Sequence, residues 1–195
     1  MQSIKEKFCD FVKQKLNVET NVETNVETDI KINEQEKGVY LAVKYTQSNA
    51  EDLMLYIKDN NIPSTLTKDD IHSTVIYSRK YADISINDEG EDLGDAEPLK
   101  FHIFETQEDK RALVILLKSE YLENRHKDLM KEYNLTFDYE KYSPHVTLSY
   151  DIGDYDISKL DIKDLPKHLT INTEYKEDLD LDKSYTDVSD KDTTN

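Results

Sequence analysis

Two short segments of the chain place a histidine two residues before a threonine: His72 with Thr74, and His145 with Thr147. Both lie in runs rich in β-branched residues, which favour extended strands. Side chains alternate between the two faces of a strand, so each imidazole shares a face with its threonine hydroxyl. Each segment therefore presents a titratable ring and a hydroxyl to the same surface.

Paired imidazoles suit general acid–base catalysis, because a histidine with a pKa of about 6.5 exists in both neutral and protonated forms near neutral pH. One ring accepts a proton from a nucleophile while the other donates one to a leaving oxygen. The threonine beside each ring can donate a hydrogen bond to a phosphate oxygen in the transition state. The sequence has no HExxH motif, no cysteine set and no glycine-rich phosphate loop. We therefore expect neither a metal nor another cofactor.

The spacing alone has low specificity, because His168 also precedes a threonine by two residues. His168 follows Pro166-Lys167 and has no counterpart elsewhere in the chain. We interpret it as the start of a strand. The other two histidines differ, because 73 residues separate them and the same offset relates Asn61 to Asn134. The chain is therefore interpreted as two related halves.

Each half contains the elements needed to position its histidine. The predicted strands cover residues 38–46, 71–77, 99–105, 112–118, 142–150 and 169–175, with helices over 48–60 and 121–133. Ser48 and Glu51 have capping-box spacing at the start of the first helix. The order strand, helix, His-x-Thr strand occurs twice. The predicted fold class is α+β, with two pseudo-symmetric lobes whose antiparallel-rich sheets flank a central groove.

Composition restricts the partners. The formal net charge is −17, with 25 basic and 42 acidic residues, which opposes docking on duplex DNA or an anionic membrane. The single cysteine excludes an intramolecular disulfide, and no stretch approaches the roughly 18 apolar residues of a membrane span. A small anionic ligand in one local pocket is compatible with this charge. We expect a cytoplasmic protein.

Three regions are predicted along the chain. Residues 1–35 form an extension with a short amphipathic helix and the sequence Asn-Val-Glu-Thr written three times, which we interpret as a linker. Residues 36–182 form the bilobal domain, and residues 183–195 form an acidic tail predicted to be disordered.

With these two motifs, the sequence resembles the two-histidine (2H) phosphoesterase superfamily, whose LigT-like fold carries paired His-x-Thr motifs on two related lobes. Within it, roughly residues 36–182 look like the phage anti-CBASS nucleases, which degrade the cyclic nucleotide signals of bacterial immunity. This resemblance implies metal-independent hydrolysis of 3′–5′ bonds in cyclic di- and trinucleotides such as 3′,3′-cyclic GMP-AMP, in the cytoplasm of an infected bacterium. No cofactor is implied.

The resemblance also implies roles for individual residues. His72 and His145 would be the acid–base pair, and Thr74 and Thr147 the hydroxyls that orient the phosphate. Tyr40 would stack on a base. Glu174 or Glu177 would contact a base edge, and because the chain has no tryptophan, His102 or Phe101 would supply a further aromatic contact.

Other functions fit the same motifs. An RNA 2′,3′-cyclic phosphodiesterase or a 2′–5′ oligonucleotide hydrolase would have the same fold and a different substrate. A basic, open groove would favour this function. A non-catalytic protein that sequesters a nucleotide would use both histidines as ligand contacts. In a generic α+β interaction protein, the two histidines would share no surface.

Overall fold

The computed structural model describes residues 37–87, 93–105 and 109–181. Within these ranges the fold class is α+β, as predicted, and the chain forms a six-stranded antiparallel sheet and two α-helices. The elements are β1 (Lys37–Tyr45), α1 (Gln47–Asp59), β2 (His72–Ser78), β3 (Asp95–Glu105), β4 (Arg111–Lys118), α2 (Glu120–Tyr133), β5 (His145–Ser149) and β6 (Leu169–Asp180). The predicted N-terminal helix, the repeat linker and the acidic tail lie outside the described residues.

The two predicted halves are present as β1-α1-β2 and β4-α2-β5. The strand order in the sheet is β2-β1-β6-β3-β4-β5, so β6 extends the first half beside β1 and β3 extends the second half beside β4. Only two residue pairs, Asp95 with Thr170 and Ala96 with Leu169, join the halves through β3 and β6. The prediction of separate sheets is therefore corrected: the strands of both halves form one sheet with a short central junction.

Although β2 and β5 lie at opposite edges of the sheet order, they pack against each other. The Ser73 hydroxyl in β2 donates a hydrogen bond of 2.6 Å to the carbonyl oxygen of His145. The Tyr142 hydroxyl, just before β5, donates one of 2.7 Å to the carbonyl oxygen of Thr74. The sheet thus curls until the two histidine strands meet.

Matching caps delimit the helices. The side chains of Thr46 and Ser119 each accept a hydrogen bond from a backbone N–H in the first turn of α1 and α2. The sequence suggested Ser48 as the cap of the first helix, whereas the observed cap, Thr46, lies two residues earlier. Asn61 and Asn134 follow the helices with positive φ angles of 52° and 49°, a conformation that asparagine tolerates better than most residues. The 73-residue offset thus relates two asparagines with nearly equal positive φ angles.

One core lies between the helices and one face of the sheet. Its buried strand residues alternate in sequence, as in Val39, Leu41 and Val43 of β1 and in Leu113 and Ile115 of β4. The helices contribute buried side chains that include Leu53, Ile57, Leu122 and Leu129. Because one face of the sheet is committed to this core, the alternating residues on the other face are left to form a site.

The last strand is longer than predicted. Residues 169–175 were expected, whereas β6 continues to Asp180 because it pairs with the whole length of β1, from Lys37 opposite Asp180 to Tyr45 opposite Ile171. This extension places Glu177 inside the sheet, directly opposite Tyr40.

Candidate active site

Each motif histidine is held by an equivalent hydrogen bond, from its Nδ1 to the backbone carbonyl oxygen two residues earlier. His72 Nδ1 lies 2.7 Å from the carbonyl oxygen of Asp70, and His145 Nδ1 lies 2.8 Å from that of Ser143. A carbonyl oxygen only accepts, so Nδ1 carries the hydrogen in each ring. In the neutral form Nε2 is then the basic nitrogen of both rings. The two halves therefore fix two imidazoles in the same tautomer.

The environment of His72 favours its neutral form. Burial lowers the pKa of His72 below the usual 6.5, and the positive charges of His145 and Lys44 act in the same direction. The hydrogen bond to the Asp70 carbonyl and the charge of Asp70 oppose this shift without cancelling it. The contribution of His145 to this shift indicates that the two rings lie within electrostatic range of each other.

The register of the strand pairs shows which side chains lie on the same face of the sheet as His72 and His145. This face is called the histidine face. Residues directly opposite in an antiparallel pair point to the same face, and β1 places Lys44 opposite His72 and Ala42 opposite Thr74. In the other half, β4 places Leu116 opposite His145 and Val114 opposite Thr147. Both threonines thus lie beside their histidines, as predicted.

Tyr40 lies on this face and contacts the first motif. Its hydroxyl oxygen is 3.0 Å from Thr74 Oγ1, and its ring meets the His72 ring edge-on, with 6.3 Å between centroids. Burial raises the pKa of Tyr40, so its hydroxyl stays protonated at neutral pH and can donate to Thr74. The structure therefore brings together Tyr40, His72 and Thr74.

The two predicted glutamates point in opposite directions. Glu174 pairs with Val43 of the core face, and its buried carboxylate binds Arg125 through Nε at 2.8 Å and Nη2 at 2.9 Å. It also accepts a hydrogen bond of 2.7 Å from the Tyr121 hydroxyl. Glu174 is therefore not brought to the histidine face. Glu177, opposite Tyr40, is on that face and half-buried.

The aromatic residues of β3 also lie on two different faces of the sheet. Phe101 is on the core side, stacked on Tyr56 of α1 with 5.8 Å between centroids. His102 lies opposite Val114 on the histidine face and contacts Phe104. Phe104, which sequence reasoning missed, meets the His145 ring edge-on at 5.2 Å. Of the two residues considered for an aromatic contact, the structure brings only His102 to this face.

Sequence reasoning also missed Tyr175 and Lys44. The Tyr175 ring lies 6.3 Å from His72 and 6.1 Å from Tyr40, and Lys44 Nζ is 5.4 Å from the Tyr175 ring centroid. Strand periodicity was the available signal, because Lys44 lies four residues beyond Tyr40 and therefore on the same face. His168, by contrast, is exposed immediately before β6.

In the described part of the chain, no group of three or more His, Cys, Asp or Glu side chains is arranged to hold a metal ion. None of the helices described there has the length and apolarity to cross a membrane.

Comparisons with a family model and with curated proteins identify the same family. The family model described as anti-CBASS protein Acb1 matches residues 37–186. Among curated proteins, anti-CBASS protein Acb1 of Acinetobacter phage Ac42 is 37% identical over 152 residues, covering 78% of this chain and 97% of that protein. The proteins of the same name from Escherichia phage RB16 and Enterobacteria phage T4 are 34% identical over 157 residues and 33% over 148. These alignments cover 79% and 74% of this chain, and 87% and 90% of the two relatives.

Proposed function

Because the chain belongs to the anti-CBASS protein Acb1 family, we propose that it is a metal-independent 2H-type phosphodiesterase that opens cyclic di- and trinucleotide signals. The family match confirms the resemblance to the anti-CBASS proteins that was found in the sequence. On this proposal the protein acts in the infected bacterium and removes the signal that CBASS immunity requires. Its ligand is a small cyclic oligonucleotide.

One observation carries the proposal: two imidazoles from edge strands that pack together, each anchored through Nδ1. An anchored Nδ1–H leaves Nε2 as the position that exchanges a proton with substrate. One neutral ring is a general base and one protonated ring is a general acid. The lowered pKa of His72 favours it as the base, and His145 is then the acid.

The reaction proposed begins at a ribose 2′-hydroxyl. His72 Nε2 takes the hydroxyl proton while the 2′-oxygen attacks the adjacent phosphorus. The bond from phosphorus to the 5′-oxygen breaks, and His145 donates a proton to that oxygen. A linear nucleotide with a 2′,3′-cyclic phosphate results, and water can then open the cyclic phosphate. Both histidines have exchanged protonation states at the end of the first step.

The threonines bind the phosphate in this scheme. When Tyr40 donates to Thr74 Oγ1, the Thr74 hydroxyl hydrogen stays available for a non-bridging phosphate oxygen. Thr147 has the equivalent position beside His145. Two such donors would stabilise the charge that builds on the phosphate in the transition state. Tyr40 and Glu177 would contact the bases, whereas Glu174 keeps β6 attached to α2 through Arg125.

The substrate class is tested by product analysis. Purified protein in EDTA is incubated separately with 3′,3′-cyclic GMP-AMP, a cyclic trinucleotide, a 2′–5′ oligoadenylate and an RNA ending in a 2′,3′-cyclic phosphate. Liquid chromatography with mass spectrometry follows the products. Linear products from the cyclic nucleotides alone are expected. Turnover of the RNA end or the 2′–5′ oligomer alone would favour the related hydrolases, and tight binding without turnover would favour a sequestering protein.

A further inference from the structure

Lys44 is a cation directly beside the first histidine. It sits on β1 opposite His72 in β2, so both side chains point to the same face of the sheet. Its Nζ lies 5.4 Å from the centroid of the Tyr175 ring, which itself contacts His72. The three side chains therefore form one cluster at the edge of the site.

Within the described residues, this cation contacts an aromatic ring. Lys44 is only partly buried, and in the described part of the chain its ammonium group lies over the Tyr175 ring rather than beside a carboxylate. By contrast, three other lysines of the described residues form ion pairs with acidic side chains: Lys37, Lys68 and Lys176. An ammonium group placed over an aromatic ring keeps hydrogen-bond donors available for another acceptor.

We propose that Lys44 is a phosphate-contacting residue, whose ammonium group binds a non-bridging oxygen of the phosphodiester that His72 and His145 act on. This role rests on the function proposed above. The contact would place Lys44 and Thr74 on the same phosphate, one as a charge and the other as a neutral donor.

Electrostatics supports a local cation here. The formal net charge of −17 repels a substrate with two or three phosphates at long range. A positive charge beside the reacting phosphate offsets this repulsion within the site. The same charge disfavours protonation of His72, which lowers the pKa of that ring. Lys44 would thus assist binding and keep His72 in the form that accepts a proton.

The test compares Lys44→Met and Lys44→Arg with Lys58→Met, which removes an equal charge from the exposed end of α1. We expect Lys44→Met to reduce kcat/KM for 3′,3′-cyclic GMP-AMP by about 10- to 100-fold, the usual range for losing a hydrogen bond to a charged group. Lys44→Arg should retain most activity because it keeps a cation. Lys58→Met should match the wild type. The acid limb of the pH profile should move to higher pH in Lys44→Met.

Substrates with sulfur in place of one non-bridging oxygen separate direct contact from an effect through Tyr175. If Lys44 binds one of the two oxygens, the loss caused by Lys44→Met should be smaller for the isomer with sulfur at that position. Equal losses for both isomers would overturn the contact, as would kcat/KM for Lys44→Met within twofold of the wild type.

A binding measurement keeps this inference separate from the function on which it rests. Intact 3′,3′-cyclic GMP-AMP is titrated into His72→Ala with and without Lys44→Met. A Kd weakened about tenfold by the second change supports the contact even if the wild type turns over nothing, in which case the proposed activity alone fails. An unchanged Kd overturns the contact.

Discussion

The side-chain hydroxyl of Ser73 donates a 2.6 Å hydrogen bond to the backbone carbonyl oxygen of His145. Ser73 lies between His72 and Thr74, so the middle residue of one motif holds the first residue of the other. The Tyr45 hydroxyl lies 2.6 Å from the same Ser73 oxygen and extends this link to β1. A buried three-residue network thus fixes the distance between the two histidine strands.

Replacing Ser73 with alanine should lower both stability and turnover. The change leaves the Tyr45 hydroxyl and the His145 carbonyl oxygen without this partner, which costs about 1–3 kcal/mol for buried groups. We also expect kcat to fall at least about tenfold, because small displacements of catalytic groups are costly. Urea unfolding and steady-state kinetics measure the two effects. Ser78→Ala, which removes another buried hydroxyl of β2, should lose stability only. Equal kcat in the two variants would contradict this.

The two glutamates of β6 should behave differently. Glu174→Gln leaves Arg125 without its carboxylate and should cost roughly 2–3 kcal/mol, below the usual loss for a fully buried pair because the Arg125 side chain is 21% exposed. Its effect on KM should be small. Glu177→Gln should raise KM several-fold and leave the free energy of unfolding within about 0.5 kcal/mol of the wild type. The opposite pattern would contradict the assignment of the two faces.

Two changes at Tyr40 should separate its hydroxyl from its ring. Tyr40→Phe removes the partner of Thr74, a loss of about 1 kcal/mol, and should reduce kcat roughly fivefold. Tyr40→Leu should also raise KM about tenfold, since stacking on a base contributes about 1–3 kcal/mol. Tyr81→Phe, at an exposed tyrosine, is the control. A wild-type KM in Tyr40→Leu would rule out base stacking.

Stability should fall on mild acidification because of buried neutral histidines. His126 donates Nδ1–H to the Val75 carbonyl oxygen and stacks on Tyr142 at 4.0 Å, and burial lowers its pKa below 6.5. Below pH 6.5 the unfolded chain therefore binds more protons, so the free energy of unfolding decreases as pH falls from 6.5 towards the folded-state pKa. His126→Gln should flatten this part of the profile. An exposed-site control, His168→Gln, should not, and an unchanged slope in His126→Gln would contradict the account.

The sequence predicts the elements of this fold well because their signals are local. Alternation marks the strands of His72 and His145, and Asn61 marks the end of the first helix, whereas the cap of that helix is Thr46 rather than Ser48. The strand–helix–strand order follows from these signals. The end of β6 was missed because residues 176–180 are mostly charged, and they form a strand through pairing with β1, which is distant in sequence.

The candidate site is predicted less completely, because it depends on how the sheet curls. No pattern shows that β2 and β5, at opposite ends of the strand order, pack together. Periodicity does contain part of the answer, since Glu174 and Glu177 are separated by an odd number of positions and lie on opposite faces of one strand. The same rule applied from Tyr40 leads to Lys44. Phe104 becomes recognisable only once β3 is placed beside β4.

The proposed acid–base role of the two histidines is tested most directly by measuring turnover and binding together. His72→Ala and His145→Ala are assayed in EDTA with 3′,3′-cyclic GMP-AMP, and calorimetry gives the Kd of the intact ligand. Each change is expected to reduce kcat by about 100- to 10,000-fold while Kd changes much less. Either variant retaining wild-type kcat would contradict the proposed role, as would a wild-type protein that binds the ligand and leaves it intact.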